Sequence, residues 1–234
     1  MKEASGRIPG LLRDKYPWGK VLGLLARHYE VGDWRVPYLN ASSTDPFRVL
    51  VSTILSQRTR DEVTHGVAES LFERYPTAAA LAGAREADIA RRIRRIGFSR
   101  AKAKAIRAAC REIVDRYGGN VPTDVDQLLE LPMVGRKTAN CVLVYAYDTP
   151  AIPVDTHVHR ISHLLGVTET RTPEETEEVL RHSVPRSLWK AVNPLLVQHG
   201  QNICRPTGPR CDECPVQRYC ATGTRGRPAK RAAP

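Results

Sequence analysis

Apolar residues recur along this chain at intervals of three and four, the period of one face of an α-helix. In WGKVLGLLARHYE they fall at Val21, Leu22, Leu24 and Leu25. DPFRVLVSTILSQ begins with a cap at Thr44-Asp45 and Pro46 in the first turn, then runs into an apolar stripe. DEVTHGVAESLFERY and SRAKAKAIRAACREIVDRY are two further amphipathic helices, the second stopped by Gly118-Gly119 and Pro122. TDVDQLLEL is a short helix, and GRKTANCVLVYAY is apolar around enough of its circumference to be buried. VDTHVHRISHLLGV follows, then TPEETEEVLRHSVP, whose Pro-Glu-Glu start suits a helix N-terminus. SLWKAVNPLLVQHGQNIC is the last long helix, with a kink expected at Pro194. No segment alternates with the period of a strand, and no repeat of fixed length stands out. The pattern predicts an all-α protein of roughly ten helices.

Charge adds a partner to this scaffold. The 234 residues carry 36 Lys and Arg against 25 Asp and Glu, a net charge of +11. Such an excess attracts polyanions, of which nucleic acid is the usual one. No stretch has the length and apolarity to span a membrane. The first twenty residues lack the apolar centre of a secretory signal, so a reducing, cytoplasmic setting is expected. Residues 222–234 are rich in Gly, Pro, Ala and cations, and read as a disordered basic tail.

The cysteines divide into two kinds. Cys204, Cys211, Cys214 and Cys220 form the spacing C-x6-C-x2-C-x5-C in a Pro/Gly-rich loop with little apolar sequence to hold it together. Four thiolates in one such loop can converge on a metal centre whose ligation supplies folding energy. Zinc and an iron–sulfur cluster both accept four thiolates, and spacing alone leaves the choice open. Arg205 and Arg210 lie between the first two cysteines and make the loop a candidate phosphate-contact surface. Cys110 and Cys141 fall on apolar helix faces and read as small core residues.

LLELPMVGRKTA reads as helix, tight turn, helix. The turn and the following helix start present successive backbone N–H groups and a positive dipole end, an arrangement suited to one backbone phosphate. Lys137 sits in the first turn of that helix. Desolvation and cationic Arg136 both favour loss of its proton, but from this stretch alone a solvated or phosphate-binding lysine is the better reading. Asp155 opens another helix and is well placed as its N-cap. A carboxylate held near a lysine can also support substitution at a sugar carbon. The carboxylate stabilises an oxocarbenium-like centre, while the amine attacks and forms a Schiff base.

Four elements in order, ILSQRTRDEV, LPMVGRKTAN, VDTHVHR and the four spaced cysteines, make the chain resemble the endonuclease III family of DNA glycosylases, in the helix-hairpin-helix superfamily. The likeness covers about residues 20–221. It implies two helical domains flanking a cleft: a six-helix domain at 39–149 carrying the helix-hairpin-helix motif, and a domain of 1–38 plus 150–221 with a C-terminal [4Fe-4S] cluster loop. It also implies Lys137 as nucleophile, Asp155 as essential carboxylate, and the four cysteines as cluster ligands. The expected activity is bifunctional. Oxidised pyrimidines would be excised from double-stranded DNA through a lysine Schiff base, and the strand nicked at the abasic site by β-elimination, by an enzyme acting as a monomer. The alternatives are a glycosylase of the same scaffold for mismatched thymine or uracil, and a non-catalytic DNA-binding module.

Candidate DNA-binding residues on this likeness are Gln57, Arg58, Phe98, Met133, Val134, Gly135, Arg136, His157, Arg205 and Arg210. Three of them depart from the family's pattern. Met133 stands where Gly, which permits positive φ and close backbone approach, is common, so it must either adopt a permitted turn or keep the phosphate slightly further off. Arg58 falls at the position of a duplex-filling Gln, with Gln57 just before it. Phe98 is larger than the common Leu and could act as an intercalating wedge. His157 has a competing reading as a core histidine, and His159 and His163 read as structural. Arg91–Arg95 read chiefly as a solvated face.

Overall fold

The computed structural model describes residues 8–30, 44–59 and 61–224, which form two compact units. One unit is contiguous, Arg35–Pro153. The other is assembled from both ends of the chain, Met1–Trp34 and Val154–Pro234. The 38/39 boundary expected from the resemblance lies outside the described residues. Among the described residues the only β-pairing is an isolated bridge between Leu11 and Thr168, and no helix is long and apolar enough to cross a membrane.

Among the described residues the contiguous unit holds seven helices, where the resemblance implies six: α2 (Pro46–Ser56), α3 (Asp61–Arg74), α4 (Ala78–Gly83), α5 (Glu86–Arg92), α6 (Ser99–Tyr117), α7 (Val125–Glu130) and α8 (Arg136–Tyr145). Asp45 caps α2 by accepting the Phe47 N–H at 3.0 Å, with Pro46 in the first turn. Helix α2 is buried on most sides and packs against α3 and α8. Helix α6 lies against α4 and α5 and ends where Gly118 turns left-handed. Leu50, Ile54, Leu71, Ile89, Ile93, Ile106, Ile113 and Val142 meet in one core, together with Cys110 and Cys141. Burial there pushes the Cys110 thiol up to about 12, which keeps it inert.

The other unit contains α1 (Trp18–His28), α9 (Thr156–Leu165), α10 (Pro173–Ser183), α11 (Trp189–Asn202) and α12 (Ala221–Thr224). Helix α11 packs against α1 and α9, and Pro194 is accommodated inside it. The Trp18 indole N–H donates to Ser183 Oγ at 3.2 Å, tying the N-terminal segment to the C-terminal one.

Two expectations need correcting. There are twelve α-helices among the described residues rather than about ten, because α4 and α5 are too short to show a period. The tail does not begin at 222, since Ala221–Thr224 form α12 against α9. The remainder, 225–234, lies outside the described residues.

Candidate active site

The hairpin connects α7 to α8. Asp124 caps α7 by accepting the N–H groups of Asp126 and Gln127 at 3.0 and 3.1 Å. After Leu131 the chain turns at Met133, whose φ of +63° lies in the left-handed region, so methionine adopts the conformation a glycine would ordinarily supply. Val134 is buried and its N–H closes the turn on Leu131 O at 3.1 Å, while Gly135 is exposed as the N-cap of α8 without a side-chain cap. An α-helix leaves its first N–H groups without intrahelical partners, so the positive end of α8 begins where this exposed glycine stands. Arg136 and Lys137 occupy the first turn, both half-buried, followed by buried Thr138, Ala139 and Asn140.

Gln57 takes a role that its sequence does not announce. Its Nε2 donates to Met133 O at 3.1 Å and to Thr138 Oγ1 at 3.3 Å, stapling the end of α2 to the hairpin turn. The adjoining residue, Arg58, has φ +52° and lies with its guanidinium 5.8 Å from the Phe98 ring centroid. Phe98 itself has φ +59° and is 64% exposed. The two positions expected to enter a duplex are therefore brought together. Lys102, absent from the sequence-derived set, lies beneath them and is 2% exposed. A signal for it existed, because Lys102 is in phase with Ile106, Ala109 and Ile113 on the buried face of α6.

Asp155 opens α9 in the other unit. Its Oδ1 accepts the N–H groups of His157 and Val158 at 2.9 and 2.8 Å, so it is an N-cap as well as a candidate carboxylate, and Oδ2 stays outside the capping bonds. His157 is half-buried against α11. A Cβ placed on Gly200 would lie 2.3 Å from its Nδ1, and the same nitrogen is 3.5 Å from the Arg160 guanidinium. These contacts make His157 a packing residue of this unit. His159 and His163 bond to Thr176 and Thr170 at 2.6 and 2.9 Å, in keeping with structural roles.

Cys204, Cys211, Cys214 and Cys220 line one cavity of about 30 Å³, together with Ile161, Leu165, His199 and Val216. None of the six cysteines is in a disulfide. Among the described residues, no three His, Cys, Asp or Glu converge closely enough to hold a single metal ion. Burial pushes the Cys214 thiol up to about 11 and raises that of Cys204. Several groups address the sulfurs. Arg160 donates to Cys204 Sγ at 3.7 Å, Gly223 N–H to Cys220 Sγ at 3.3 Å, and His199 Nε2 lies 3.5 Å from Cys214 Sγ. The Tyr29 hydroxyl meets the other nitrogen of His199 at 2.9 Å. Burial, then His28 and Arg160, hold the His199 imidazole down to about 4, so it is neutral. Neither Tyr29 nor His199 had a motif to mark it.

The loop cations are partly committed. Arg205 donates to Asn202 O at 3.1 Å, and Arg210 pairs with Glu213 at 2.8 Å while also donating to Asn202 O at 3.0 Å. Both side chains remain at the surface.

Residues 51–186 match the family described as HhH-GPD superfamily base excision DNA repair protein. Over 181 residues the chain is 50% identical to the Endonuclease III of Thermotoga maritima, covering 77% of this chain and 85% of that one. A solved structure of a trapped Endonuclease III–DNA covalent intermediate is 32% identical, with a TM-score of 0.81 over 89% of this chain and 96% of its own. A thermostable thymine-DNA glycosylase is 23% identical, with a TM-score of 0.80 over 89% of this chain and 97% of its own, a likeness of fold.

Proposed function

The chain belongs to the HhH-GPD superfamily of base excision DNA repair proteins, and from that premise we propose that it is a bifunctional DNA glycosylase and abasic-site lyase of the endonuclease III type. The observation that carries this reading is the place of Lys137. It stands in the first turn of α8, just beyond a turn with an exposed helix start, in a chain 50% identical over 181 residues to an Endonuclease III.

The turn Met133–Gly135 and the start of α8 hold one backbone phosphate, with Arg136 adding charge. Gln57 keeps the turn in shape rather than reading bases. Arg58 and Phe98 enter the duplex and take the place of the extruded nucleotide, because a sugar carbon inside the stack is out of reach. The neutral Lys137 amine attacks the anomeric carbon, the glycosidic C–N bond breaks, and the base leaves after gaining a proton. Asp155 Oδ2 stabilises the positive charge that develops on the sugar. The amine gives up a proton, the C1′–O4′ bond of the sugar ring breaks as O4′ takes one up, and the lysine nitrogen and C1′ are left as a Schiff base. Loss of a C2′ proton then expels the 3′ phosphate group by β-elimination, and water releases the lysine. Arg205 and Arg210 add phosphate attraction at the rim of the cysteine loop, within the limits their internal bonds set.

Cys204, Cys211, Cys214 and Cys220 would hold a [4Fe-4S] cluster. Four thiol groups around a shared apolar cavity suit a centre that takes four thiolates, and the likeness to Endonuclease III favours a cluster over zinc. When bound, such a cluster supplies cross-links for the loop and a redox-active centre. Thiols of raised pKa need such a ligand to hold them as thiolates. His199, with Tyr29 donating to Nδ1, would carry its proton on Nε2 and donate it to the Cys214 sulfur. A cytoplasmic setting suits a chain with this chemistry.

Borohydride trapping on a duplex with an abasic site tests the lysine. Wild type is expected to give a covalent adduct and Lys137→Ala none. Absence of an adduct in wild type, or its persistence in the variant, removes the nucleophile. On a panel of lesions, oxidised pyrimidines are expected to be excised faster than thymine or uracil opposite guanine.

A further inference from the structure

Helix α2 ends with carbonyls that its own turns cannot satisfy. Ile54 O accepts the Gln57 N–H at 3.4 Å and Ser56 O accepts the Thr59 N–H at 3.0 Å. Thr53 O accepts the Ser56 hydroxyl at 2.9 Å, and Leu55 O and Gln57 O are met from a distance in sequence. The Lys102 ammonium donates to Leu55 O at 2.8 Å and to Gln57 O at 2.5 Å, and lies 3.3 Å from Thr59 Oγ1. An ammonium has three donors, and three oxygens meet it here. A buried cation is costly unless its donors are used in this way.

Lys102 reaches these oxygens from the first turn of α6, where its own N–H bonds to Phe98 O at 3.0 Å. One residue therefore fixes two turns: its backbone holds the segment of Phe98, and its side chain holds Gln57–Thr59. The turns are in contact. A Cβ on Gly97 would come 3.4 Å from Arg58 O and 3.8 Å from Thr59 Oγ1, ordinary contact distances that place one turn against the other. Both Arg58 and Phe98 hold left-handed backbones that non-glycine residues rarely adopt, and such conformations persist only where the surroundings over-determine them. The outcome is an exposed phenylalanine with a guanidinium over it, built on a buried clamp.

We propose that Lys102 is a positioning residue that locks Arg58 and Phe98 into one preassembled wedge for opening the duplex. This rests on the reading that these two side chains enter DNA. A wedge ordered beforehand spares the complex the entropy of ordering two long side chains on binding. A clamp that merely stabilised α2 would have no bearing on which substrate is processed.

Lys102→Met keeps the aliphatic stem and removes the ammonium. Single-turnover cleavage of a lesion-bearing duplex is expected to fall about tenfold or more. Borohydride trapping on a single-stranded abasic oligonucleotide, which needs no wedge, is expected to stay within about twofold. An equal loss on both substrates, or no loss on the duplex, overturns the proposal. Should Lys102→Met fail to fold, Thr59→Val removes one acceptor at constant shape and is expected to move the duplex reaction alone, by a smaller factor; a change on neither substrate, or an equal change on both, counts against the clamp. In an Arg58→Ala, Phe98→Ala background, Lys102→Met is expected to cause no further loss, and an additive loss would place its action elsewhere. If the double variant by itself cleaves duplex at the wild-type rate, the wedge reading fails and the clamp with it. If the double variant is impaired and Lys102→Met is not, only the clamp fails.

Discussion

The notch at Gly200 offers a quantitative test of what His157 does. Alanine at this position puts a methyl group 2.3 Å from His157 Nδ1, 2.9 Å from its Cγ and 3.1 Å from its Cβ. Turning the ring about χ1 moves the first two atoms but not the third, so relief requires a shift between α9 and α11. Overpacking of this kind costs about 1–3 kcal/mol. Against it stands the helix propensity of alanine over glycine, about 1 kcal/mol. Gly200→Ala in the native background should therefore be destabilising by about 0–2 kcal/mol. With His157→Ala the 2.3 and 2.9 Å ring contacts disappear and only the 3.1 Å contact with Cβ remains, so the same change should cost less or turn stabilising, by at most about 1 kcal/mol. The effect shifts towards stabilisation in the second background, and the coupling energy is the share of the overpacking that belongs to the ring. Urea unfolding of the four proteins, with the cofactor state matched, measures it. An equal upward shift of the midpoint in both backgrounds would show that the ring does not fill the notch, and would return His157 to the DNA-facing surface.

Three further outcomes are expected. Met133→Val places a β-branched residue at a positive φ, and should be less stable than Met133→Gly by about 1–2 kcal/mol in urea unfolding, with weaker duplex affinity; equal stabilities would mean that the turn relaxes. Burial pushes the Lys102 ammonium down from 10.5 to about 8. From about pH 8 to 10.5 the unfolded chain holds a proton that the folded chain has released, so stability gains a rising component across that window; wild type minus Lys102→Met should show it, and a flat difference would refute it. Protein isolated without oxygen should carry the broad visible absorption of an iron–sulfur chromophore, lost in Cys214→Ala; a colourless protein loaded with zinc would rule out the cluster.

The long helices were legible because period and punctuation agree. Helix α6 matches its sequence segment, Ser99–Tyr117, down to the glycine that stops it. Short α4 and α5 were not legible, since six or seven residues, many of them alanine or charged, do not establish a face. In the site, motif order pointed to Lys137, Asp155 and the cysteines because chemistry constrains residue type as well as place. The groups that hold those residues carry no such constraint. Gln57 looks like a surface amide until its bonds to Met133 O and Thr138 Oγ1 are drawn. Lys102 looks like one more cation in a basic helix. Only its phase with Ile106, Ala109 and Ile113 betrays that it faces inward. The left-handed backbones of Arg58, Phe98 and Met133 are set by tertiary contacts, and none of these residue types favours that conformation locally.

One unit is contiguous and the other is closed by segments from both ends, and the ribosome meets them in a fixed order. The Trp18–Ser183 hydrogen bond spans 165 residues of chain. At common rates of synthesis, α1 waits about ten to thirty seconds for its partners to emerge. Throughout that time Val21, Leu22 and Leu25 have no helix α11 to cover them, while the chain between can already condense on its own core. A nascent chain of this design passes through a stage with one finished lobe and one sticky leader. A nonsense mutation between Asp155 and Trp189 would hold it at that stage, and such a product is expected to be cleared by chaperones and proteases even though Lys137 and Asp155 have both been translated.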